Sequence, residues 1–193
     1  MAKLYFKTGV MGSSKSLDMI RSNYNYIERG MKTLIFKPSV DTRSGTDECW
    51  ITSRTGMRVK GQWISTETNL FTFIKDLSRE NKYAAVFIDE VQFLTEKQIE
   101  ELQDIVYELN IPVLAYGLKT DFRGYLFPGV ARLLALADDV QEIRSICWCG
   151  NRATQNVRII DNKVVKDGDI IQIGGEGSYS ALCNKHFRRG ILN

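Results

Sequence analysis

No stretch of the 193 residues approaches the ~18 apolar residues of a membrane-spanning helix. The opening segment, Met1 to Val10, turns polar too soon for a secretory signal. A cytoplasmic protein with no membrane partner is therefore expected. An excess of one charge is also missing. Lys and Arg total 26 against 23 Asp and Glu, and a net charge of +3 is too small for a chain that coats nucleic acid, so nucleic-acid binding is not expected. Cysteine is scarce, at four residues, and without an export signal these do not describe a disulfide framework. Neither internal repeats nor low-complexity segments occur. With 44% hydrophobic and 25% charged residues, the composition is that of an ordinary globular chain able to bury a substantial core.

Apolar patterning spells an alternation of strands and helices. Lys3 to Thr8 is a strand-length run that meets Gly9. From about Ser16, apolar positions at Leu17, Met19, Ile20, Tyr24 and Ile27 follow helical spacing, with Gly30 as C-cap. Lys32 to Lys37 is a second buried strand stopped by Pro38. The polar stretch 41–69 is read as loop with short strands near Cys49–Ile51 and Trp63–Ile64. Leu70 to Ser78 is helical, and Tyr83 to Ile88 is a continuous apolar strand ending in Asp89-Glu90. Thr95 and Gln98 form a capping-box signature ahead of the stripe Ile99, Leu102, Ile105, Val106 and Leu109. Ile111 to Tyr116 is a further strand. This order predicts an α/β core over 1–140 with a mostly parallel sheet. After about Val140 short strands alternate with turns through Cys147–Gly150, Thr154–Ile160, Asp161-Asn162, Val164-Val165, Ile170–Ile173 and Gly174-Gly175, predicting a small β-rich module over 141–193.

Three sets of residues carry chemistry. Gly9-Val10-Met11-Gly12-Ser13-Ser14-Lys15-Ser16 lies between a predicted strand and a predicted helix, where a phosphate-binding G-x-x-x-x-G-K-[ST] loop belongs. Its amides would cradle phosphate at a helix N-terminus, Lys15 would neutralise phosphate oxygens and Ser16 would ligate Mg²⁺. Ser14 stands where the pattern has its second glycine, which requires a permissive backbone or a compensating shift. The plain alternative is a Ser/Gly-rich turn with a surface lysine. Val86-Phe87-Ile88-Asp89 has the form of a strand that delivers a Mg²⁺-side carboxylate, and Glu90 beside it is a potential general base. Finally, Cys147 and Cys149 pair with Cys183 and His186, the only histidine, in a set that fits closed, structural Cys₃His zinc. Free thiols and one surface histidine are the alternative there, and Cys49 reads as a half-buried structural thiol.

Taken in order, these motifs resemble a known family. To them are added Lys37-Pro38 through Asp41-Thr42-Arg43, Asp89-Glu90-Val91-Gln92-Phe93, Gly117 to Gly124, Cys147-Trp148-Cys149-Gly150, Ile173-Gly174-Gly175 and Cys183 to His186. The chain is similar, over nearly its whole length, to the type II thymidine kinases, with a RecA-like α/β core and a zinc-containing lasso domain. Its C-x-C spacing suggests the bacterial and phage branch. The resemblance implies transfer of the ATP γ-phosphate to the 5′-hydroxyl of thymidine, for DNA precursor salvage, by a homotetramer. It assigns ATP and Mg²⁺ to Gly9, Val10, Met11, Gly12, Ser13, Ser14, Lys15, Ser16, Asp89 and Gln92. Catalysis falls to Glu90 as base, with Lys15 and Arg43 near the phosphates. Thymidine would be enclosed by Met11, Glu90, Phe122, Phe127 and Tyr179, and Zn²⁺ held by Cys147, Cys149, Cys183 and His186. Without the resemblance, Phe122 and Phe127 would be read as core and Arg43 as solvated. A competing class is a non-catalytic nucleotide-binding regulator, disabled at Ser14, whose zinc ribbon with Lys185, Arg188 and Arg189 meets a partner or nucleic acid.

Overall fold

The computed structural model describes residues 1–39, 48–168 and 179–192. Its centre is a six-stranded sheet of β1 (Leu4–Thr8), β2 (Lys32–Pro38), β5 (Gln62–Ile64), β6 (Tyr83–Ile88), β7 (Val113–Gly117) and β8 (Asp139–Glu142). The spatial order is β5-β2-β6-β7-β1-β8, and every neighbouring pair is parallel. Parallel pairing demands crossovers. The helices α1 (Lys15–Ile27), α2 (Leu70–Glu80), α3 (Glu96–Glu108) and α4 (Pro128–Leu136) lie in the segments between these strands.

Strand periodicity divides the core into two layers. Leu34, Phe36, Val86, Ile88, Val113 and Ala115 join the apolar stripes of α2, α3 and α4 on one face. Their alternates Ile35, Ala85, Phe87, Leu114 and Tyr116 meet Met19 of α1, together with Cys49 and Ile51, on the other. Phe6, Phe36 and Phe87 are fully buried, each stabilising the fold by about 1.5–3 kcal/mol. Helix starts are fixed locally. Thr95 and Gln98 form the expected capping box at α3, and Asn69 Oδ1 accepts from Thr72 N at the start of α2. The buried Glu101 carboxylate accepts from Leu70 N at 2.7 Å, tying α2 to α3.

Small antiparallel sheets complete the chain. A hairpin joins β3 (Trp50–Thr52) to β4 (Arg58–Lys60), and β9 (Ser145–Ile146) pairs with β10 (Arg152–Ala153). A three-stranded sheet places β11 (Gln155–Ile160) between β12 (Lys163–Val165) and β13 (Tyr179–Leu182), followed by the short α5 (Asn184–Arg189). Gln141 and Glu142 still pair with β1, beyond the boundary expected at 140. Cys147–Gly150 is a turn, and Cys49 is buried at 3% exposure instead of half-buried, because it fills the layer beneath α1. The expected strand Ile170–Ile173 and Gly174-Gly175 lie outside the described residues. Among the described residues no helix is long and apolar enough to cross a membrane.

Candidate active site and metal centre

All the acidic and phosphate-loop residues meet at the carboxyl ends of the parallel strands, where open α/β sheets gather their ligands. The loop from Gly9 to Ser14 leaves β1 and enters α1. A Cβ at Gly9 would collide with the Ser13 side chain and the Ile143 carbonyl, so only glycine fits. Ser14 is the N-cap of α1 with φ 64 and ψ 28, the left-handed conformation that a glycine would take there. The serine thus takes up a backbone region that glycine enters without steric cost. Lys15 Nζ arches back to donate to the Gly9 and Val10 carbonyls at 3.2 and 3.0 Å. Met11 N and Ser13 N are engaged, the first by Asn156 Oδ1 at 2.8 Å and the second by Val10 O at 3.1 Å. The amides of Gly12, Ser14 and Ser16 have no protein acceptor among the described residues. Such amides at a helix start suit phosphate.

One strand away, across β7, β6 delivers Asp89 and Glu90. Asp89 is 3% exposed, and its amide donates to Phe36 O. Burial first, then the neighbouring Glu90 carboxylate, push its carboxyl up to about 7, while Lys37 and Lys15 pull the other way. A buried acid between two ammonium groups is a place that a divalent cation with phosphate satisfies electrostatically. Glu90 has φ 53, a left-handed conformation that a non-glycine residue adopts only when its surroundings impose it. Gln92 supplies part of that constraint. Its Nε2 donates to Glu90 Oε2 at 2.6 Å, and its Oε1 accepts from Leu118 N at 3.0 Å. The seat requires Gly117, since a Cβ there would strike the Gln92 side chain. Gln92, expected among the ATP and Mg²⁺ contacts, is thus placed with both amide ends on protein groups and Glu90 held by one of them.

Of the residues expected around thymine, Phe122 and Tyr179 are brought together by Arg158. Phe122 is buried under the Arg158 guanidinium, whose Cζ lies 3.8 Å from the ring centroid. Arg158 Nε also donates to the Tyr179 hydroxyl at 3.1 Å. The loop carrying Phe122 is shaped by Asp121, whose carboxylate accepts from the Arg123 and Tyr125 amides. Phe127 precedes α4 and packs edge-on against Phe93 in the main core, which is the packing role expected without the resemblance. Arg43 lies outside the described residues.

The metal-ligand set converges. Ligand atoms of Cys147, Cys149, Cys183 and His186 all lie within 4.8 Å of one another. His186 Nδ1 is 3.4 Å from both the Cys147 and Cys183 sulfurs, and Cys149 Sγ is 3.9 Å from Cys183 Sγ. A zinc tetrahedron with bonds of 2.0–2.3 Å has edges of about 3.3–3.8 Å, so the donor set fits Zn²⁺ in number and type, with the three separations given at or close to that range and the whole set gathered within 4.8 Å. The Cys147–Gly150 turn brings the first pair together through Gly150 N donating to Cys147 O, with Gly150 at φ 83. Trp148 stacks on the His186 ring at 4.4 Å.

A family model described as thymidine kinase matches residues 2–187. The chain belongs to the thymidine kinase family. Its relatives include the thymidine kinase of Legionella pneumophila strain Lens, 47% identical over 98% of this chain and 91% of that one. The Coxiella burnetii thymidine kinase is 47% identical, covering 98% of this chain and 97% of its own. That of Shewanella oneidensis is 43% identical over 99% of both. Membership makes the chain a kinase-type phosphotransferase.

Within this thymidine kinase framework, the fold brings to the site two residues that the sequence did not single out, Arg54 and Asn156, and a third, Lys37, that was named in a motif without a role. Lys37, at the end of β2, is buried beside Trp63 and acts on Asp89. Arg54, in the turn between β3 and β4, lies against the phosphate loop, with Nη1 3.0 Å from where a Gly12 Cβ would stand. Asn156, on β11, bonds to the same loop. Lys37 had a signal, a charge at the end of an apolar strand. Arg54 and Asn156 had none, because their partners are distant in sequence.

Proposed function

We propose that the chain phosphorylates thymidine at its 5′-hydroxyl with ATP, yielding thymidine monophosphate in the cytoplasm, as a homotetramer. The observation that carries this reading is the pairing of buried Asp89 with Glu90 at the strand ends beside a glycine-rich loop whose lysine and amides suit phosphate. Bound Mg²⁺ would neutralise the triphosphate charge. The residues to hold it are Asp89 and Ser16. Glu90, fixed by Gln92, takes the proton of the 5′-hydroxyl as that oxygen bonds to the γ-phosphorus and ADP leaves with the bridging oxygen. Lys15 and Arg43 serve the phosphates, and Met11, Phe122 and Tyr179 enclose the base, while Phe127 packs in the core. Zn²⁺ has a structural role, closing the small module around four protein ligands. Most of the rate acceleration in such transfers comes from positioning and electrostatics.

The competing regulator reading depended on Ser14 disabling the loop. Ser14 adopts the left-handed backbone open to glycine, which supports a working loop. The deciding experiment is transfer of labelled γ-phosphate from Mg·ATP to a panel of nucleosides by the parent and by Glu90→Gln. Selective labelling of thymidine, reduced about 100-fold or more in kcat with thymidine affinity retained in the variant, is the expected result. An undiminished kcat would reject Glu90 as base, and no transfer to any nucleoside by the parent would reject the kinase activity.

A further inference from the structure

Strand β11 has two unlike faces. Val157 and Ile159 point into a small core shared with Cys147, Ala153, Leu182 and Cys183, and Val10 of the phosphate loop is buried in that same core. Asn156 and Arg158, on the alternate positions, belong to the opposite face. Arg158 covers Phe122, as described. Asn156 is 4% exposed, and its one amide spans two segments far apart in sequence. Oδ1 accepts from Met11 N in the phosphate loop at 2.8 Å, and Nδ2 donates to Thr120 O at 2.9 Å. Thr120 opens the loop that carries Phe122 and closes by pairing with Leu126.

A buried side-chain amide with both ends bonded to backbone fixes the spacing of those backbones, since losing either bond leaves a buried end of the Asn156 amide unpaired. One partner here is the loop proposed to hold the triphosphate, and the other is the loop proposed to hold the nucleoside. We infer that Asn156 is a positioning residue for both substrates, through which the Cys/His module sets the shape of the phosphate loop as well as the nucleoside pocket. The inference rests on the proposed kinase activity for the identity of the nucleoside. Its phosphate arm stands on Met11 and Val10 alone.

The test is Asn156→Ala in the zinc-loaded protein, measured by calorimetric titration with Mg·ATP and, separately, with thymidine, together with zinc content. Loss of both bonds should weaken each ligand by about fivefold or more, the scale of one ordering hydrogen bond, with zinc content unchanged. Mg·ATP affinity within twofold of the parent overturns the inference. So does weakened binding that is matched by lost zinc, because Asn156 would then only hold the module together. Should the alanine variant not fold, Asn156→Thr carries the same comparison; it suits a strand and keeps a hydroxyl for one of the two partners. An intermediate loss is then expected, and none overturns the inference. If the parent binds Mg·ATP but no thymidine, the kinase reading fails while the Mg·ATP arm still decides the role of Asn156.

Discussion

Replacing Asp89 by Asn should make the protein more stable at neutral and alkaline pH while weakening its hold on Mg·ATP. Burial is the largest cost of ionising this carboxyl, Glu90 adds to it, and Lys37 and Lys15 offset only part, leaving Asp89 at about 7 against an ordinary 3.8. Between those two values the native state keeps a proton that the unfolded chain has released. Stability therefore falls as pH rises through the interval, and the loss is complete above the folded value. Since each pKa unit is worth about 1.4 kcal/mol, the interval from 3.8 to about 7 corresponds to about 4 kcal/mol. Relaxation around a buried charge reduces this, so the expected gain for Asp89→Asn is about 2–3 kcal/mol near pH 8. Near pH 4 to 5 the native side chain is neutral in both proteins, and the gain should shrink to a fraction of that. Urea denaturation of nucleotide-free parent and variant across this range reads the difference directly. Unfolding curves whose separation does not change with pH would refute the electrostatic account of Asp89. In the same variant Mg·ATP affinity should drop about tenfold or more, as it does when a site loses an ionised ligand or the group supporting one.

Ser14→Gly should raise stability by up to about 1 kcal/mol, because it relieves a left-handed serine but loosens the unfolded chain; a denaturant midpoint that falls would show that the hydroxyl itself is needed. Arg54→Ala should raise KM for ATP about tenfold and leave KM for thymidine unchanged, since the guanidinium lies against Gly12 and contacts to charged groups are worth this much. Equal effects on both substrates would place Arg54 in the fold, not at the phosphates. Cys183→Ser removes one of four converging ligands and should reduce zinc content well below that of the parent and open β11 and β13 to proteolysis; full zinc retention would oppose this ligand set.

The opening β-α-β unit, the capping box of α3 and the Cys/His set were legible because each is written in a short window: a period of apolar residues, a pair three apart, a metal-ligand spacing. α4 had no such mark. Pro128-Gly129 reads as a turn, yet Pro128 sits in the first helical turn, where its missing N–H costs nothing. Gly129 is needed there because a Cβ would strike the Leu94 carbonyl, a constraint set by a residue 35 positions away. β5 joins the main sheet through Lys37 and Trp63, a pairing no local pattern announces. Ser14 departs from the phosphate-loop pattern in residue type, while its left-handed backbone, which no sequence pattern displays, is one glycine adopts readily. Sequence names residue types; it carries no record of which distant backbone a buried amide such as that of Asn156 will bridge.

The packing of Val10 against Leu182 and Cys183 also bears on how the chain is made. The phosphate loop leaves the ribosome well ahead of its hydrophobic support, which follows it by most of the sequence between Val10 and Leu182. At 5–20 residues per second, the residues between them take roughly 10–35 s to synthesise. During that time β1 and the loop exist without the packing partners of the finished protein, so a nascent chain cut short before Leu182 holds every residue of the phosphate motif and none of the contacts that β13 gives it.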